Sequence, residues 1–223
     1  MISPQSSVHS RQSTNYQDGL RPQTREALAR MAQEQDVRGS TPEGELNLIV
    51  GLLAAQGARH VLQLGTFVGW STLVLADLVG PQGRVVTVDP DWGFLMTTWH
   101  YAQMAALNNL TCQRGHSHDL VVIDLALAER WDAIYIDTTH HYAQTVRELE
   151  IYCGRVAGPG TLVLLHDAST HAQSLDVEGK GGVKAAIGEW LAAHPEWQGM
   201  ICEPPVFPEA QFGLGVLARK AEG

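Results

Sequence analysis

A chain of 223 residues with 44% apolar content is long enough for one sizeable hydrophobic core and short for two. A formal charge of −9 with no cluster of Lys or Arg excludes a nucleic-acid surface, which needs a basic stripe. Three widely spaced cysteines, Cys112, Cys153 and Cys202, form neither a disulfide framework nor a CxxC zinc pattern, so each reads as an apolar residue in a reduced, cytoplasmic setting.

Residues 1–20 are polar, rich in Ser and Gln, and offer few anchors for a core, so they are expected to be flexible. They contain no apolar run of signal-peptide type, and no window of the chain approaches a membrane span. A single domain is expected over 21–223. A short polar helix is predicted over 21–34, with Leu28 and Met31 as its apolar residues. "STPEGELNLIVGLLAAQG" predicts a stronger one. Thr41 is its expected N-cap, Pro42 suits the first turn, Leu46, Ile49, Val50 and Leu53 share a face, and Gly57 supplies the stop.

From here strands and helices alternate. Strands are predicted at 59–65, 83–90, 110–115, 131–137 and 160–167, and helices at 71–79, 94–109, 119–129 and 142–156. Residues 168–182 show no periodicity and read as a loop, 183–194 as a helix, and 211–220 as a final strand with 200–207 as its possible partner. This pattern is that of an α/β protein: a Rossmann-like open, mostly parallel sheet with helices on both faces and an antiparallel C-terminal strand.

In such sheets ligands bind outside the carboxyl ends of the strands. "GTFVGWS" follows the first strand, with Gly65, Gly69 and Ser71 leading into a helix, and Asp89 ends the second. Glycine lets backbone approach a ligand closely, and an acid in the position of Asp89 reaches a ribose diol. The dinucleotide fingerprint GxGxxG is absent, which disfavours a nicotinamide cofactor. A lone GxxxG also serves strand–helix packing. Two further strands end in acids, Asp137 and the pair His166–Asp167. Paired carboxylates at neighbouring strand ends suit a hard divalent cation, although they also serve as strand-end caps.

"VLQLGTFVGWSTLVLADLVGPQGRVVTVDPD" resembles the first two strands of class I S-adenosylmethionine-dependent methyltransferases. Within that group the chain is similar to the metal-dependent, catechol-type O-methyltransferases, through the helix before that stretch and through "GHSHDL", "IDTTHHY", "GPGTLVLLHDAS" and "GVKAAIGEWL". The likeness covers the chain from about residue 38 onward, and its spelling is nearest to bacterial members that methylate hydroxyls of secondary metabolites. The resemblance implies that Gly65, Gly69 and Ser71 hold the methionine part of S-adenosylmethionine, that Asp89 holds the ribose, and that Ser117 and His118 flank the adenine. It places Asp137 at both cofactor and metal, Asp137 and Asp167 as ligands of a divalent metal, and His140 as the catalytic residue. Two positions depart from the family. Gln63 stands where relatives carry an acid that contacts the cofactor's amino group, and His166 stands where they carry a metal-binding acid.

The residues themselves support this chemistry. Mg²⁺, the expected metal, takes one or two carboxylates and keeps open positions, and a metal-held hydroxyl loses its proton more easily. A neutral imidazole is the commonest general base near pH 7, and His140 lies three residues past Asp137. His166 brings a nitrogen that favours a transition metal if it is a ligand; strand alternation would instead turn it into the sheet's packing. His116, His141 and His171 receive no role. The expected partner is a small-molecule acceptor, with neither nucleic acid nor membrane and with a homo-oligomer left open. Two rivals remain: a fold-sharing protein that binds the cofactor but performs another biosynthetic step, and a non-catalytic scaffold.

Overall fold

The computed structural model describes residues 15–203 and 212–220. In chain order the elements are α1 (Tyr16–Gly19), α2 (Pro22–Glu34), α3 (Glu43–Gln56), β1 (His60–Leu64), α4 (Trp70–Val79), β2 (Arg84–Asp89), α5 (Trp92–Met104) and β3 (Leu110–Arg114). They continue with α6 (Leu120–Leu127), β4 (Ala133–Ile136), α7 (Tyr142–Ile151), β5 (Leu162–His166), α8 (Gly182–Ala193), β6 (Trp197–Cys202) and β7 (Leu214–Arg219). The strands form a single sheet in the order β3-β2-β1-β4-β5-β7-β6. The first five run parallel, and β7 is antiparallel to both β5 and β6. This is the Rossmann-like arrangement expected, with the antiparallel end at the chain's last strands.

The inner strands β1, β2, β4 and β5 are buried on both faces, which is why their sequences are near-continuous apolar runs. Val61, Tyr135 and Leu164 pack on one face against Leu28, Met31, Leu46, Ile49 and Leu73. Leu62, Ile134, Ile136 and Leu165 pack on the other against Val122, Leu149 and Ile187. Each such fully buried aliphatic side chain contributes roughly 1.5–3 kcal/mol over its exposed state. The register sets Leu64 beside both Val88 and Ile136, and Ile136 beside Leu165. The carboxyl ends of β1, β2, β4 and β5 therefore open onto one edge.

Several local expectations need correction. Residues 15–20 do carry core anchors, since Tyr16 and Leu20 are buried; residues 1–14 lie outside the described residues. Tyr16 accepts a hydrogen bond from Trp70 Nε1 and donates its backbone N–H to Asn47. Thr41 is not the N-cap of α3, a position held by Pro42. Instead its hydroxyl is buried against the Tyr135 hydroxyl, 2.8 Å away. Helix α5 begins earlier than expected, because Asp91 caps it by accepting from the backbone of Gly93 and Phe94. It stops at Met104. The last turn of the helix predicted to reach 156 is wound wider, as a π turn over Tyr152–Val156. The final hairpin pairs β7 with β6, which starts at Trp197 rather than 200; residues 204–211 lie outside the described residues. Among the described residues no helix is long and apolar enough to cross a membrane.

Candidate active site

A cleft of about 330 Å³ lies across the carboxyl ends of β1, β2 and β4. Gly65, Ser71, Asp89, Ser117, His118, Asp137 and His140, all marked out by sequence, line it. Gly65 adopts φ +87°, and a Cβ there would collide with the carbonyl oxygen of Asp137, so only glycine lets β1 and β4 close together at this edge. Asp89 organises the turn that follows: its carboxylate accepts from the backbone N–H of Thr66 at 2.9 Å, Phe67 at 3.3 Å and Asp91 at 2.8 Å.

Two expected cofactor residues do not reach the cleft. Gln63 is fully buried behind the turn, and its amide is consumed there. Nε2 donates to Gly65 O and Ser71 Oγ, and Oε1 accepts from Thr72 Oγ1. Gln63 thus shapes the turn, with both ends of its amide partnered inside the protein. Gly69, with φ +92°, precedes α4, and a Cβ there would collide with the Thr98 side chain. Its glycine serves helix packing.

At the Ser117 end the structure adds a buried acid that the sequence reading passed over. Glu148 on α7 accepts from Ser117 Oγ at 2.6 Å, from Thr138 Oγ1 at 2.9 Å and from Gln144 Nε2 at 2.9 Å. Burial raises its pKa above the usual carboxylate range, and these hydrogen bonds and the nearby His140 only partly offset that. Gln144 also donates to Ser117 Oγ and lines the cleft beside His116 and His118, whose rings stack. The signal was available: Thr145, Glu148, Leu149 and Tyr152 form the buried stripe of this helix.

At the other end three expected residues converge. One ligand atom each from Asp137, His166 and Asp167 lies within 4.8 Å of the others. His166 Nδ1 is 3.2 Å from Asp137 Oδ1 and 2.9 Å from Asp167 Oδ2. Strand alternation sends His166 to the same sheet face as Leu164, where it meets Asp137 in line with Tyr135. Asp167 would point away, but β5 ends at His166 and Asp167 takes φ +58°, which turns its carboxylate back. His140, at φ +61°, contacts Asp167 through Nδ1. Burial opposes a charge on His140, yet Asp167 and then Asp137 outweigh it and raise its pKa above the ordinary imidazole value.

Three supporting residues were missed. Tyr135 donates to Asp137 Oδ2 at 3.0 Å, and Thr41 sits against both. Glu45 of α3 is fully buried, its Oε2 lying 2.8 Å from His166 Nε2. Glu45, Ile49 and Leu53 form the buried stripe at a spacing of four, so an acid within an apolar face was the clue. Trp92 and Trp99 stay about half exposed outside the cleft, and from that region Phe94 alone lines it.

Residues 62–168 match the family of the methyltransferase domain. No curated protein matches the chain by sequence. Among solved structures it is similar to an O-methyltransferase from Bacillus cereus in complex with SAH, at 20% identity and a TM-score of 0.72, over 89% of this chain and 90% of that one. It is also similar to the O-methyltransferase TomG from Streptomyces achromogenes, involved in tomaymycin synthesis and in complex with SAM, at 17% identity and TM-score 0.72 over 90% and 91% of the two chains. Cofactor-bound Rv0187 from MTB matches at 21% identity and TM-score 0.73 over 92% of each chain. Likeness at these identities is a likeness of fold.

Proposed function

We propose that the chain transfers a methyl group from S-adenosylmethionine to a hydroxyl of a small molecule, a secondary metabolite by the resemblance noted above; the match of residues 62–168 to the methyltransferase-domain family and the fold shared with solved O-methyltransferases support this. One observation carries this reading: a single cleft is lined by the Gly65 turn and Asp89 together with Asp137 and His140. Its size, about 330 Å³, is within the range of small-molecule sites.

The residues present fit both groups. Asp89 faces the cleft where a ribose diol would be held, and Ser117, His118 and Gln144 supply the walls for an adenine. His166 Nδ1 lies 3.2 Å from Asp137 Oδ1 and 2.9 Å from Asp167 Oδ2, and one ligand atom of each residue lies within 4.8 Å of the others, so the three would hold a divalent cation together. When bound, S-adenosylmethionine supplies an electrophilic sulfonium methyl and a divalent cation supplies a Lewis acid that acidifies the acceptor hydroxyl. The chain's own part is positioning and proton removal. His140 takes the hydroxyl proton on its ring nitrogen facing the cleft, while Asp167 accepts from Nδ1 and holds that tautomer. The Gly65 turn and the wall of Asp137 fix where donor and acceptor approach one another, which is the larger share of acceleration in a displacement of this kind.

The test is calorimetric titration with S-adenosylmethionine, followed by mass analysis of hydroxylated acceptors for gain of one methyl group. Activity after chelation and on re-addition of divalent metals then tests the metal's part. Absence of cofactor binding would end the reading. Full activity in the chelated enzyme would remove the metal from it and leave His140 and positioning.

A further inference from the structure

We propose that Glu45 is the outer carboxylate of the metal centre. By holding a proton on His166 Nε2 it keeps Nδ1 free as a nitrogen ligand, and so builds a site for a borderline metal such as Co²⁺ or Zn²⁺ in preference to Mg²⁺. The inference rests on the metal reading above.

Glu45 is fully buried on α3, and so is His166 at 6% exposure. Glu45 Oε1 is already committed, accepting from the backbone N–H of Gly213 at 2.7 Å. That leaves Oε2, which approaches His166 Nε2 at 2.8 Å, off the straight hydrogen-bond line. Neither Oε2 nor Nε2 has a well-aligned hydrogen-bond partner among the described residues. Two bare lone pairs at that separation repel, so a proton lies between them. On its other side Nδ1 hydrogen-bonds Asp167 Oδ2 at 2.9 Å and faces Asp137 Oδ1 at 3.2 Å; a cation bound there would take the place of the proton on Nδ1, while Nε2 keeps its own toward Glu45. A ligating histidine that gives its other N–H to a carboxylate is the usual way a protein fixes ring orientation and raises ligand basicity. Mg²⁺ prefers oxygen throughout, whereas imidazole nitrogen suits Co²⁺, Ni²⁺ and Zn²⁺. A buried carboxylate facing a buried ring nitrogen is otherwise an expensive arrangement to keep.

The contact with Gly213 makes Glu45→Gln a sharp probe. The Gly213 N–H needs an acceptor, so the amide oxygen of Gln stays there and the NH₂ group faces His166 Nε2. Nε2 must then accept, its proton moves to Nδ1, and the nitrogen ligand is lost. The measurement is the affinity of the full-length, chelator-stripped protein for Co²⁺, Zn²⁺ and Mg²⁺, by calorimetry and by competition with a chromophoric chelator. Wild type should bind Co²⁺ and Zn²⁺ more tightly than Mg²⁺. Glu45→Gln should lose about 10–100-fold in Co²⁺ affinity with little change for Mg²⁺, the usual size of an outer-ligand effect. His166→Asn should lose the same preference, and adding Glu45→Gln to it should cost nothing more. Unchanged Co²⁺ affinity in Glu45→Gln, or an equal further loss in the His166→Asn background, would overturn the proposal. Tight Mg²⁺ binding without Co²⁺ or Zn²⁺ preference in wild type would leave the metal reading standing and sink this one; no metal binding at all would sink both. The ring tautomer of His166 in the Zn²⁺-loaded wild type, read by nitrogen NMR, decides the matter without any variant: a proton on Nε2 supports the assignment and a proton on Nδ1 ends it.

Discussion

Two side chains just past the carboxyl ends of β4 and β5 hold backbone conformations that L residues avoid, His140 at φ +61° and Asp167 at φ +58°. Each such residue costs roughly 1–3 kcal/mol and persists only where its surroundings hold it. Here the two hold one another, through His140 Nδ1 and Asp167. The consequence is an imidazole whose remaining nitrogen faces the cleft beside Asp137. Replacing His140 by Ala should lower turnover by about 10²–10⁴-fold, the usual share of a general base. Cofactor affinity, proposed to rest on the Gly65 turn and Asp89, should stay near that of wild type by calorimetry. Near-native turnover would assign proton removal elsewhere. Glu148 offers a second residue-level test, read as stability. Burial raises its pKa above the unfolded value despite donors from Ser117, Gln144 and Thr138. The sign follows from linkage: a group with a raised folded pKa contributes stability that is complete below the unfolded pKa and is lost as pH rises through the folded one. Glu148→Gln removes that titration, and its amide can still serve Ser117 and Thr138. Thermal unfolding from pH 4 to pH 8 should therefore show the variant gaining on wild type as pH rises. Parallel curves for the two proteins would remove Glu148 from the pH dependence.

At the scale of elements, much of the sheet was legible because its strands are short apolar runs between glycine turns, and their ends carry the acids. Asp89, Asp137 and His166–Asp167 were placed at strand ends by alternation of strand and helix alone, and the register brings them to one edge. What was not legible depends on contacts across the fold. Gln63 reads as a cofactor contact until Thr72 and Ser71 are seen to use its amide. Glu45 is remote in the chain from His166, and nothing local says that α3 will lay it against β5. The stretch 168–182 looked unordered because its order is polar. A 3₁₀ turn at Ala172–Leu175 leads to Asp176, whose carboxylate accepts from the backbone N–H groups of Tyr142, Glu178, Lys180 and Gly182. One buried acid thus ties the loop to the start of α7. Asp176→Ala should make 168–182 the first site of limited proteolysis, whereas wild type should resist there even without ligands. Equal cleavage rates in the two proteins would mean that other contacts hold the loop. The turn after β1 has a similar single point of failure. Gly65→Ala meets both an unfavourable φ and the Asp137 carbonyl oxygen, so β1 and β4 must part at the edge where the cofactor is proposed to sit. Calorimetry should find S-adenosylmethionine binding lost or severely weakened, and unaltered affinity would show that the turn is not part of that site.

The whole molecule is one sheet with a buried layer on each side, and the cleft touches the ends of β1, β2 and β4 together with the loops that follow them. A ligand that fills it bridges elements from Gly39 to Gln144, so binding should act on global stability and not merely on a loop. The size of that effect follows from mass action. A ligand that binds the folded state alone, at 100 times its Kd, stabilises it by about 2.7 kcal/mol. For a chain of this length each kcal/mol moves Tm by roughly 2–4 °C, so saturating S-adenosylhomocysteine should raise Tm by roughly 5–10 °C. The product is the better probe because it carries no reactive methyl group. Its net charge also matters little here, because the cleft relies on Asp89 and backbone groups rather than on a basic patch, and the shift should survive added salt. Metal should act separately, since Asp137, His166 and Asp167 stand at the ends of β4 and β5, across β1 from Asp89 at the end of β2. A chelator should lower Tm in the absence of cofactor, and the S-adenosylhomocysteine increment should remain after chelation. Scans with each ligand alone and with both would check this. A rise of no more than 1–2 °C at saturation, on the order of a weakly bound surface ligand, would show that the cleft does not hold the nucleoside.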